Sequence, residues 1–386
     1  MKRRDVRFAT KAIHAGQFPD PATGAIMTPV YLTSTFVQEA PGSHKGYEYT
    51  RTQNPTRAAL EANLAELEGG KHALAFASGM AAEAAVLQLM NPGERVICCQ
   101  DVYGGTYRLL TKALSRFQIE ASFADATRTG TLTDALSERT RFIWLETPSN
   151  PLLKICDIAA ISALAHERGI KVVVDNTFAS PALQRPLELG ADVVVHSTTK
   201  YLNGHSDVVG GALIVNDEEI YKQLKFLQGA LGAIPGPLDC YLVLRGIKTL
   251  PARMRVHCEN ALAIATHLDL NPNVIRVHYP GLEGSPFREL AAKQMSGFGG
   301  MISIQLAGGA ERALRFVSST KIFSLAESLG GVESLIGYPS VMSHAAIPAA
   351  ERARLGISDS LVRLSVGIED VRDLIEDLDQ ALAASK

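Results

Sequence analysis

The chain has 386 residues, of which 46% are hydrophobic and 20% are charged, and its formal net charge is −2. A chain of this length holds two or three domains and buries a large core. The small net charge provides no general attraction to nucleic acid or to anionic membranes. No apolar run approaches the roughly 20 residues of a membrane-spanning helix. We therefore expect neither nucleic acid nor a membrane as a partner.

The N-terminus and the cysteines favour a cytoplasmic protein. The basic residues Lys2, Arg3 and Arg4 are not followed by the apolar segment of a signal peptide. The five cysteines are odd in number and form no CxxC pair or mixed Cys/His ligand spacing. The sequence thus indicates neither a disulfide framework nor a metal site.

Three regions follow one another along the chain. Residues 1–50 are rich in Pro, Thr, Gly and aromatics with little helical periodicity, which predicts an extended arm that contacts a neighbouring subunit. In residues 51–245, helix-like and strand-like segments alternate, which is typical of a doubly wound α/β sheet. A Gly/Pro-rich break precedes an apolar helical region over 238–268, which Pro251 should kink or divide.

The last region, residues 246–386, predicts a smaller α+β domain. Apolar and polar side chains alternate over residues 302–306, the pattern of a strand with one solvated face. Residues 361–367 repeat the pattern and place Arg363 on the polar side. After residue 370, apolar side chains fall on one helical stripe.

Two Val-rich segments, 172–174 and 193–195, predict neighbouring strands buried on both faces of a parallel sheet. Asp175 ends the first strand, and the second runs into Ser, Thr, Thr and Lys at 197–200. Because ligands collect at the carboxyl ends of such strands, we expect these side chains, including Thr198, to face one ligand. A carboxylate, an amine and several hydroxyls suit the ring nitrogen, aldehyde and phosphate of pyridoxal phosphate. A phosphosugar or a nucleotide is the alternative.

A second anion-binding signal lies at residues 77–90. Ser78 can cap a helix, and Gly79 allows backbone N–H groups to approach an anion closely. The helix N-terminus adds about half a positive charge, which suits a phosphate. An ordinary capped helix is the alternative. The nucleotide-binding and hydrolase motifs GxxxxGK[ST], GxGxxG, GxSxG and HExxH are all missing.

Nine motifs are spread over nearly the whole chain: YEYTRTQNPTR (47–57), FASGMAA (76–82), DVYGGTYR (101–108), ETPSNP (146–151), VVVDNTFASP (172–181), HSTTKYLNGHSDVVGG (196–211), QMSGFGGM (294–301), SLAESLGGVESL (324–335) and LVRLSVGIED (361–370). In this order they resemble the trans-sulfuration family, the pyridoxal-phosphate enzymes of cysteine and methionine metabolism. The resemblance implies the type I fold, similar to that of aspartate aminotransferase. That fold has an N-terminal arm, a large domain with a mostly parallel doubly wound sheet, and a smaller C-terminal α+β domain.

The resemblance also implies how the cofactor is held. Lys200 would bond covalently to the aldehyde and move protons, Asp175 would keep the ring nitrogen protonated, and Tyr103 would stack on the ring and serve as an acid/base group. Near the phosphate we expect Ser78, Gly79, Met80, Ser197 and Thr199, joined by Tyr49 and Arg51 from a neighbouring subunit.

Substrate contacts follow from the same resemblance. Asn150 would touch the ring oxygen of the cofactor and the substrate. Arg363 would bind the substrate carboxylate, helped by the backbone at Ser328, since a guanidinium matches a carboxylate bidentately. Glu48 and Glu327 are expected to meet a second, distal ammonium group of the substrate.

The expected reaction is γ-elimination of L-cystathionine to cysteine, 2-oxobutanoate and ammonia. The alternative is the γ-synthase reaction, in which cysteine replaces the acyl group of an O-acylhomoserine, and β-lyase activity could accompany either. Gly105 stands where methionine γ-lyases typically carry a reactive cysteine, which argues against methionine as the main substrate. A non-catalytic binder of the cofactor is disfavoured because Lys200, Tyr103 and Arg363 are all present. The family implies a homotetramer built from two active dimers.

Overall fold

The centre of the molecule is a seven-stranded sheet in which six of the described strands share one direction. The structure, a computed structural model, describes residues 6–386. The strands are β1 (His72–Phe76), β2 (Arg95–Cys99), β3 (Glu120–Ala124), β4 (Thr140–Glu146), β5 (Lys171–Asp175), β6 (Val193–Ser197) and β7 (Gly211–Val215). Their order is β1-β7-β6-β5-β4-β2-β3, and β7 is antiparallel to both of its neighbours. The predicted α/β fold with a mostly parallel sheet is confirmed.

Helices cover both faces of this sheet. They are α1 (Phe8–His14), α2 (Pro55–Glu68), α3 (Gly79–Leu87), α4 (Gly104–Arg108), α5 (Thr129–Ala135), α6 (Ile158–His166), α7 (Ser180–Leu183), α8 (Glu218–Leu231) and α9 (Pro237–Ile247). A π-helical turn (Leu109–Ala113) and two 3-10 helices (Leu114–Phe117, Pro186–Leu189) complete the set.

Strand β6 shows why its Val-rich sequence suits this position. Val193 and Val195 belong to the apolar cluster on one face of the sheet, and Val194 belongs to the cluster on the other face. All three are fully buried. A strand covered on both sides must be apolar throughout, so its polar residues are confined to its end.

Helix α2 shows the local signals at which a helix begins and ends. Asn54 accepts hydrogen bonds from the N–H groups of Thr56 and Arg57 and so caps the helix, and Pro55 occupies its first turn. The helix ends at Gly69, whose φ of 70° is left-handed and favours glycine.

A five-stranded sheet with its own apolar core forms the last third of the chain. Its elements are α10 (Leu250–Asp269), β8 (Val274–His278), α11 (Arg288–Gln294), β9 (Met301–Leu306), α12 (Gly309–Val317), β10 (Ser324–Leu325), β11 (Leu335–Gly337), α13 (Ala349–Leu355), β12 (Leu361–Ser365) and α14 (Val371–Ala384). The strand order is β10-β11-β12-β9-β8. The break between α9 and α10 falls just before Pro251, which lies in the first turn of α10 where no N–H is needed.

The expectation that β9 and β12 each expose one face to solvent is wrong. Ser303 and Arg363 on the polar faces are both buried. The loop after β4 covers them: Ser303 donates to the carbonyl of Pro151 at 2.7 Å, and Arg363 donates to the side chain of Asn150. These polar side chains of the small sheet therefore pack against the loop after β4 instead of facing water.

The arm differs in part from its prediction. It contains the helix α1, which the sequence pattern missed, and Asn63 of α2 donates to the carbonyl of Ala15 at the end of that helix. Beyond α1 the arm exposes large apolar side chains, among them Ile26, Leu32 and Val37. The basic cluster at residues 2–4 lies outside the described residues. The boundaries at residues 50 and 245 stay predictions, as does the cytoplasmic location. No helix within residues 6–386 is both long and apolar enough to cross a membrane.

Gly211 provides a test of how tightly β7 packs against α3. A Cβ at this position would overlap the carbonyl oxygen of Ser78 and lie 2.7 Å from the nitrogen of Gly79. We expect Gly211→Ala to lower the free energy of unfolding by about 1–3 kcal/mol through overpacking. Gly229 of α8 is the matched control, because its Cβ would meet nothing within 4 Å. Gly229→Ala should stabilise by about 0.5–1 kcal/mol. Equal melting temperatures for the two variants would contradict this packing.

Candidate active site

A cavity of about 530 Å³ opens at the carboxyl ends of β4, β5 and β6, beneath the small sheet. Most of the predicted site residues line it: Ser78, Gly79, Met80, Tyr103, Asn150, Asp175, Ser197, Thr199, Lys200, Glu327, Ser328 and Arg363. Residues that are more than 280 positions apart in sequence thus share one cavity. Their individual roles stay predictions.

Thr198 does not face this cavity, so that expectation is wrong. Its side chain is buried on the other side, and its backbone N–H donates to the carbonyl of Gly210 at 3.0 Å. Strand β6 ends at Ser197, and in the turn that follows, the side chain of Thr198 is buried away from the cavity that Ser197 and Thr199 line.

Glu48, Tyr49 and Arg51 also lie outside the cavity of their own chain. Arg51 donates to the carbonyl of Gly229 at 2.6 Å and lies 5.5 Å from the centre of the Tyr49 ring. Glu48 pairs with His44 at 2.9 Å. All three predicted residues are exposed. In a single chain they contribute nothing to the site, so any role must come from a second copy.

One end of the cavity is built to receive an anion. Ser78 caps α3, as predicted, by accepting the N–H of Ala81 at 3.0 Å. The N–H groups of Gly79 and Met80 precede this bond and have no partner within the helix. Gly79 is close to β6, because a Cβ on it would stand 3.0 Å from the Cβ of Ser197. Backbone donors, a helix terminus and the hydroxyls of Ser197 and Thr199 converge there, which suits a phosphate.

The opposite end is acidic. Burial raises the pKa of the Asp175 carboxyl, an effect that hydrogen bonding from Thr177 opposes. Burial and the nearby Asp175 raise the pKa of Glu83 to about 8, and the same two causes raise the pKa of Glu146 well above its usual range. Within residues 6–386, Oε2 of Glu83 finds no hydrogen-bond partner. Three clustered carboxyls of this kind favour a cationic group, such as a protonated ring nitrogen, beside them.

Glu83 and Glu146 were missed at the sequence level. Glu146 ends β4 just as Asp175 ends β5, so the strand-end signal could have found it. Glu83 lies inside the apolar helix α3, and only its burial in the tertiary structure reveals it. Other cavity residues without a prediction are Arg108, Thr177, Phe178, Val209, Leu329, Met342 and Ser343.

Lys200 lies between the two ends. Its Nζ donates to Oγ of Ser328 at 2.6 Å. Burial, and secondly the charge of Arg363, lower the pKa of the Lys200 amine to about 8, against a smaller opposing effect of Glu327. A lysine with such a pKa is partly neutral near physiological pH and can act as a nucleophile or a base.

Arg363 is a buried cation that does not use all of its N–H donors in hydrogen bonds with the protein. Nη1 donates to Oδ1 of Asn150 and Nη2 to the carbonyl of Ser328, each at 3.0 Å. Ser328 has a φ of 88°, a strained conformation that places its carbonyl and its hydroxyl at the same site. Across residues 6–386, Arg363 forms no ion pair. Because a guanidinium carries five N–H donors, it can still bind a carboxylate bidentately.

His344 supports this arrangement and was also missed. It is fully buried, and its Nε2 is 3.0 Å from the carbonyl of Asn150. Burial, together with Arg363, lowers the pKa of His344 to about 4, so the ring is neutral and adds no charge beside the guanidinium. Hydrogen bonding from His344 helps to fix the loop that carries Asn150.

These residues fit pyridoxal phosphate. The donor-rich end matches the phosphate, Lys200 matches the aldehyde, and the acidic end matches the ring nitrogen. The buried carboxyls give the strongest evidence for this cofactor. In the described part of the chain, Asp175, Glu83 and Glu146 have no cationic side chain within ion-pair distance, so a protonated ring nitrogen can serve as their partner. Residues 6–386 contain no group of three or more His, Cys, Asp or Glu placed to hold a metal ion.

Comparison with known proteins agrees with this fit. Residues 9–383 match the family described as Cys/Met metabolism PLP-dependent enzyme. The chain is 55% identical to a cystathionine gamma-synthase of Mycobacterium tuberculosis, over 97% of this chain and 96% of that one. It is 53% identical to a cystathionine beta-lyase of Coxiella burnetii, over 97% of each chain. The crystal structure of a cystathionine gamma-lyase from Lactobacillus plantarum superposes with a TM-score of 0.96 at 44% identity, covering 98% of this chain and 99% of that one.

The chain belongs to the family of pyridoxal-phosphate enzymes of cysteine and methionine metabolism. It is therefore a pyridoxal-phosphate enzyme of trans-sulfuration, with the type I fold and an amino-acid substrate. The resemblance stated from the motifs is confirmed. The relatives carry three different reaction names, so the family does not fix which carbon–sulfur bond is made or broken.

The lowered pKa of Lys200 predicts how cofactor-free protein reacts with pyridoxal phosphate. Only the neutral amine attacks the aldehyde, so the rate of covalent uptake should rise with pH and level off above about pH 8. Arg363→Met removes a neighbouring positive charge and should move the midpoint to higher pH, whereas Arg363→Lys should largely preserve it. Stopped-flow absorbance measures the rate. A midpoint near 10.5, the ordinary value for lysine, would contradict the buried environment.

Proposed function

We propose that this protein is a cystathionine γ-lyase, which cleaves L-cystathionine to cysteine, 2-oxobutanoate and ammonia. The observation that supports cystathionine as the substrate most directly is the position of Glu327 in the cavity. Glu327 adjoins Ser328 and acts electrostatically on both Lys200 and Arg363. Cystathionine carries an amino-acid group at each end. Arg363 suits the carboxylate at the reacting end, and Glu327 suits the ammonium at the distal end.

We assign each step of the proposed reaction to a residue of the cavity. The bound cofactor supplies an electron sink for the charge left when a proton is removed beside the substrate carboxylate. Arg363 and Asn150 hold that carboxylate, and Lys200 takes the proton from Cα. Ser328 orients the Lys200 amine through their 2.6 Å hydrogen bond. Lys200 then moves protons at Cβ, and the phenol of Tyr103 protonates the departing sulfur.

Gly105 supports the exclusion of methionine as the main substrate. A Cβ at this position would overlap the ring of Tyr103 and lie 2.7 Å from Sδ of Met80. Tyr103 thus occupies the space that a cysteine side chain at position 105 would need. The site as built has no room for a cysteine side chain at position 105 beside this tyrosine.

Cystathionine γ-synthase is the second candidate, because the relative from Mycobacterium tuberculosis at 55% identity carries that name. In that reaction cysteine joins the four-carbon fragment derived from an O-acylhomoserine. Cystathionine is the product of the synthase and the substrate of the lyase. Arg363 and Glu327 would therefore bind it in either reaction. The relative from Coxiella burnetii is named a cystathionine beta-lyase, and the product analysis described next would also detect β-cleavage.

Product analysis with L-cystathionine alone tests the proposal. Cysteine together with 2-oxobutanoate, detected by chromatography and mass spectrometry, is the expected result. Homocysteine together with pyruvate would show β-cleavage and refute the γ-lyase assignment. No turnover, combined with formation of cystathionine from cysteine and an O-acylhomoserine, would establish the synthase.

Glu327→Gln tests the proposed recognition of the distal ammonium. Losing a charged hydrogen bond should reduce kcat/KM for cystathionine about 10- to 100-fold. Elimination from an O-acylhomoserine, which lacks the distal ammonium, should change little. Glu311→Gln is the matched control, since Glu311 pairs with Arg315 on the surface of α12. Equal losses for both substrates would assign Glu327 a role other than specificity.

We also propose that the active unit is a dimer within a homotetramer, with Tyr49 and Arg51 completing the phosphate site of the neighbouring copy. Both residues are exposed beside their own α8, and the arm that precedes them exposes Ile26, Leu32 and Val37. Apolar side chains of this size are expected to be covered by a partner.

Subunit complementation tests the shared site. Arg51→Ala and Lys200→Ala homomers should each be inactive, because every site lacks one essential group. In mixed dimers one site receives both defects and the other receives none, so about a quarter of the wild-type activity should return at equal mixing. Exchange is verified by native mass spectrometry. Confirmed exchange without recovered activity would mean that Arg51 acts within its own chain.

A further inference from the structure

A second cavity, of about 420 Å³, lies at the edge of the small sheet and shares no lining residue with the cofactor cavity. Its basic lining residues are Lys154, on the loop after β4, and Arg276 and His278 of the edge strand β8. Because Arg276 and His278 are two residues apart on one strand, they project from the same face, about 7 Å from each other. Basic groups from two parts of the fold therefore meet in this cavity.

The described part of the chain leaves these basic groups without partners. No Asp or Glu among the described residues lines the cavity. Within the same residues, the side chains of Lys154, Arg276 and His278 form neither an ion pair nor a hydrogen bond. Lys154 acts electrostatically on Asp101 and Asp125, but neither carboxylate lies within 4 Å of it. The cavity thus has an excess of positive charge.

The rest of the wall is mostly apolar. Leu152 and Leu355 are buried side chains of one small apolar cluster, and Phe287 lines the cavity beside them. Ser358 and Gln305 add neutral hydrogen-bonding groups. Sites for small molecules have volumes of roughly 300–1,000 Å³ and combine apolar walls with a few polar groups. This composition suits a small organic anion with a carbon skeleton.

The loop after β4 connects this cavity with the cofactor cavity. Leu152 and Lys154 line the one, and Asn150 lines the other. Ser149 closes the intervening turn: its N–H donates to the carbonyl of Lys154 at 3.0 Å, and its Oγ accepts the N–H of Lys154 at 2.9 Å. Asn150 in turn accepts the hydrogen bond from Arg363. A ligand that holds Lys154 therefore acts on the same turn that positions Asn150.

We propose that this cavity binds a small organic dianion, a dicarboxylate or a phosphate ester, and that the bound dianion strengthens binding of the amino-acid carboxylate at Arg363 and Asn150. Two unpaired cations, Lys154 and Arg276, suit two negative charges. A dianion that fixes Lys154 orders the turn closed by Ser149 in advance, so the amino acid meets a more preorganised site. The inference uses the amino-acid substrate of the family and does not depend on which reaction follows.

Isothermal titration calorimetry of the holoenzyme tests the binding site with succinate and with glycerol 3-phosphate. Butyrate has the length of succinate but only one carboxylate, so at least one of the dianions should bind more than ten times as tightly as butyrate. Which dianion binds identifies its class. Wild-type protein that binds butyrate as tightly as both dianions would overturn the proposal.

Arg276→Gln should weaken binding of the dianion about 10- to 100-fold, because a charged hydrogen bond is lost. Arg116→Gln is the matched control, since Arg116 is also exposed but lies outside this cavity; it should leave the affinity unchanged. Both arginines are exposed, so neither change removes a side chain from the core. Wild-type affinity in Arg276→Gln would overturn the proposal.

The cofactor cavity is the other place where an anion could bind. Arg363→Met removes the partner of a carboxylate there and should leave binding of the dianion unchanged. Loss of binding in Arg363→Met, with retention in Arg276→Gln, would place the anion in the active site and overturn the proposal.

Glycine tests the effect on the active site, because it has a carboxylate and no distal group. Its dissociation constant, measured from the visible absorbance of the holoenzyme, should fall about fivefold when the dianion is saturating. Arg276→Gln should show no such change. A glycine constant in the wild-type protein that stays the same or rises would overturn the proposed coupling. Neither result depends on the products formed from cystathionine, so the coupling and the γ-lyase assignment can fail separately.

Discussion

The parallel pairing of β5 with β6 is the constraint on which the rest of the site depends. Both strands are buried on both faces, so their central residues are valines and polar groups appear only at the strand ends. Register then places Asp175 and Ser197 at one edge of the sheet, and Lys200 follows within one turn. The acidic and anion-binding ends of the cavity are separated by little more than the spacing of neighbouring strands.

Burial gives these groups their chemistry. The desolvation that raises the pKa of Asp175, Glu83 and Glu146 also lowers the pKa of Lys200 to about 8. In water the same groups would be four ordinary charges. Inside the molecule they form an excess of carboxyls at one end and a reactive amine at the centre, and pyridoxal phosphate complements both. The small sheet completes this environment because its polar face, with Arg363, is pressed against the loop of Asn150.

The site residues that sequence reasoning found share a visible local signal. Asp175 and Lys200 follow Val-rich strands, Ser78 and Gly79 begin a helix, and the motifs of the family cover the others. Residues without such a signal were missed. His344 lies in an irregular segment, and the Glu83 carboxyl belongs to a helix that otherwise looks like core. The wrong expectation about β12 has the same origin, since alternation shows which side chains share a face but not what covers that face.

The sequence by itself determined the fold class, the family and the cofactor, because strand periodicity, helix caps and short motifs are local properties of the chain. The tertiary structure alone decided which charges lie together. Two hydrogen bonds show this. One joins Glu68 to His196 and the other joins Lys200 to Ser328, and each connects residues 128 positions apart. No local pattern encodes such a distance. Coulomb interaction and desolvation act through space, and only the folded chain defines that space.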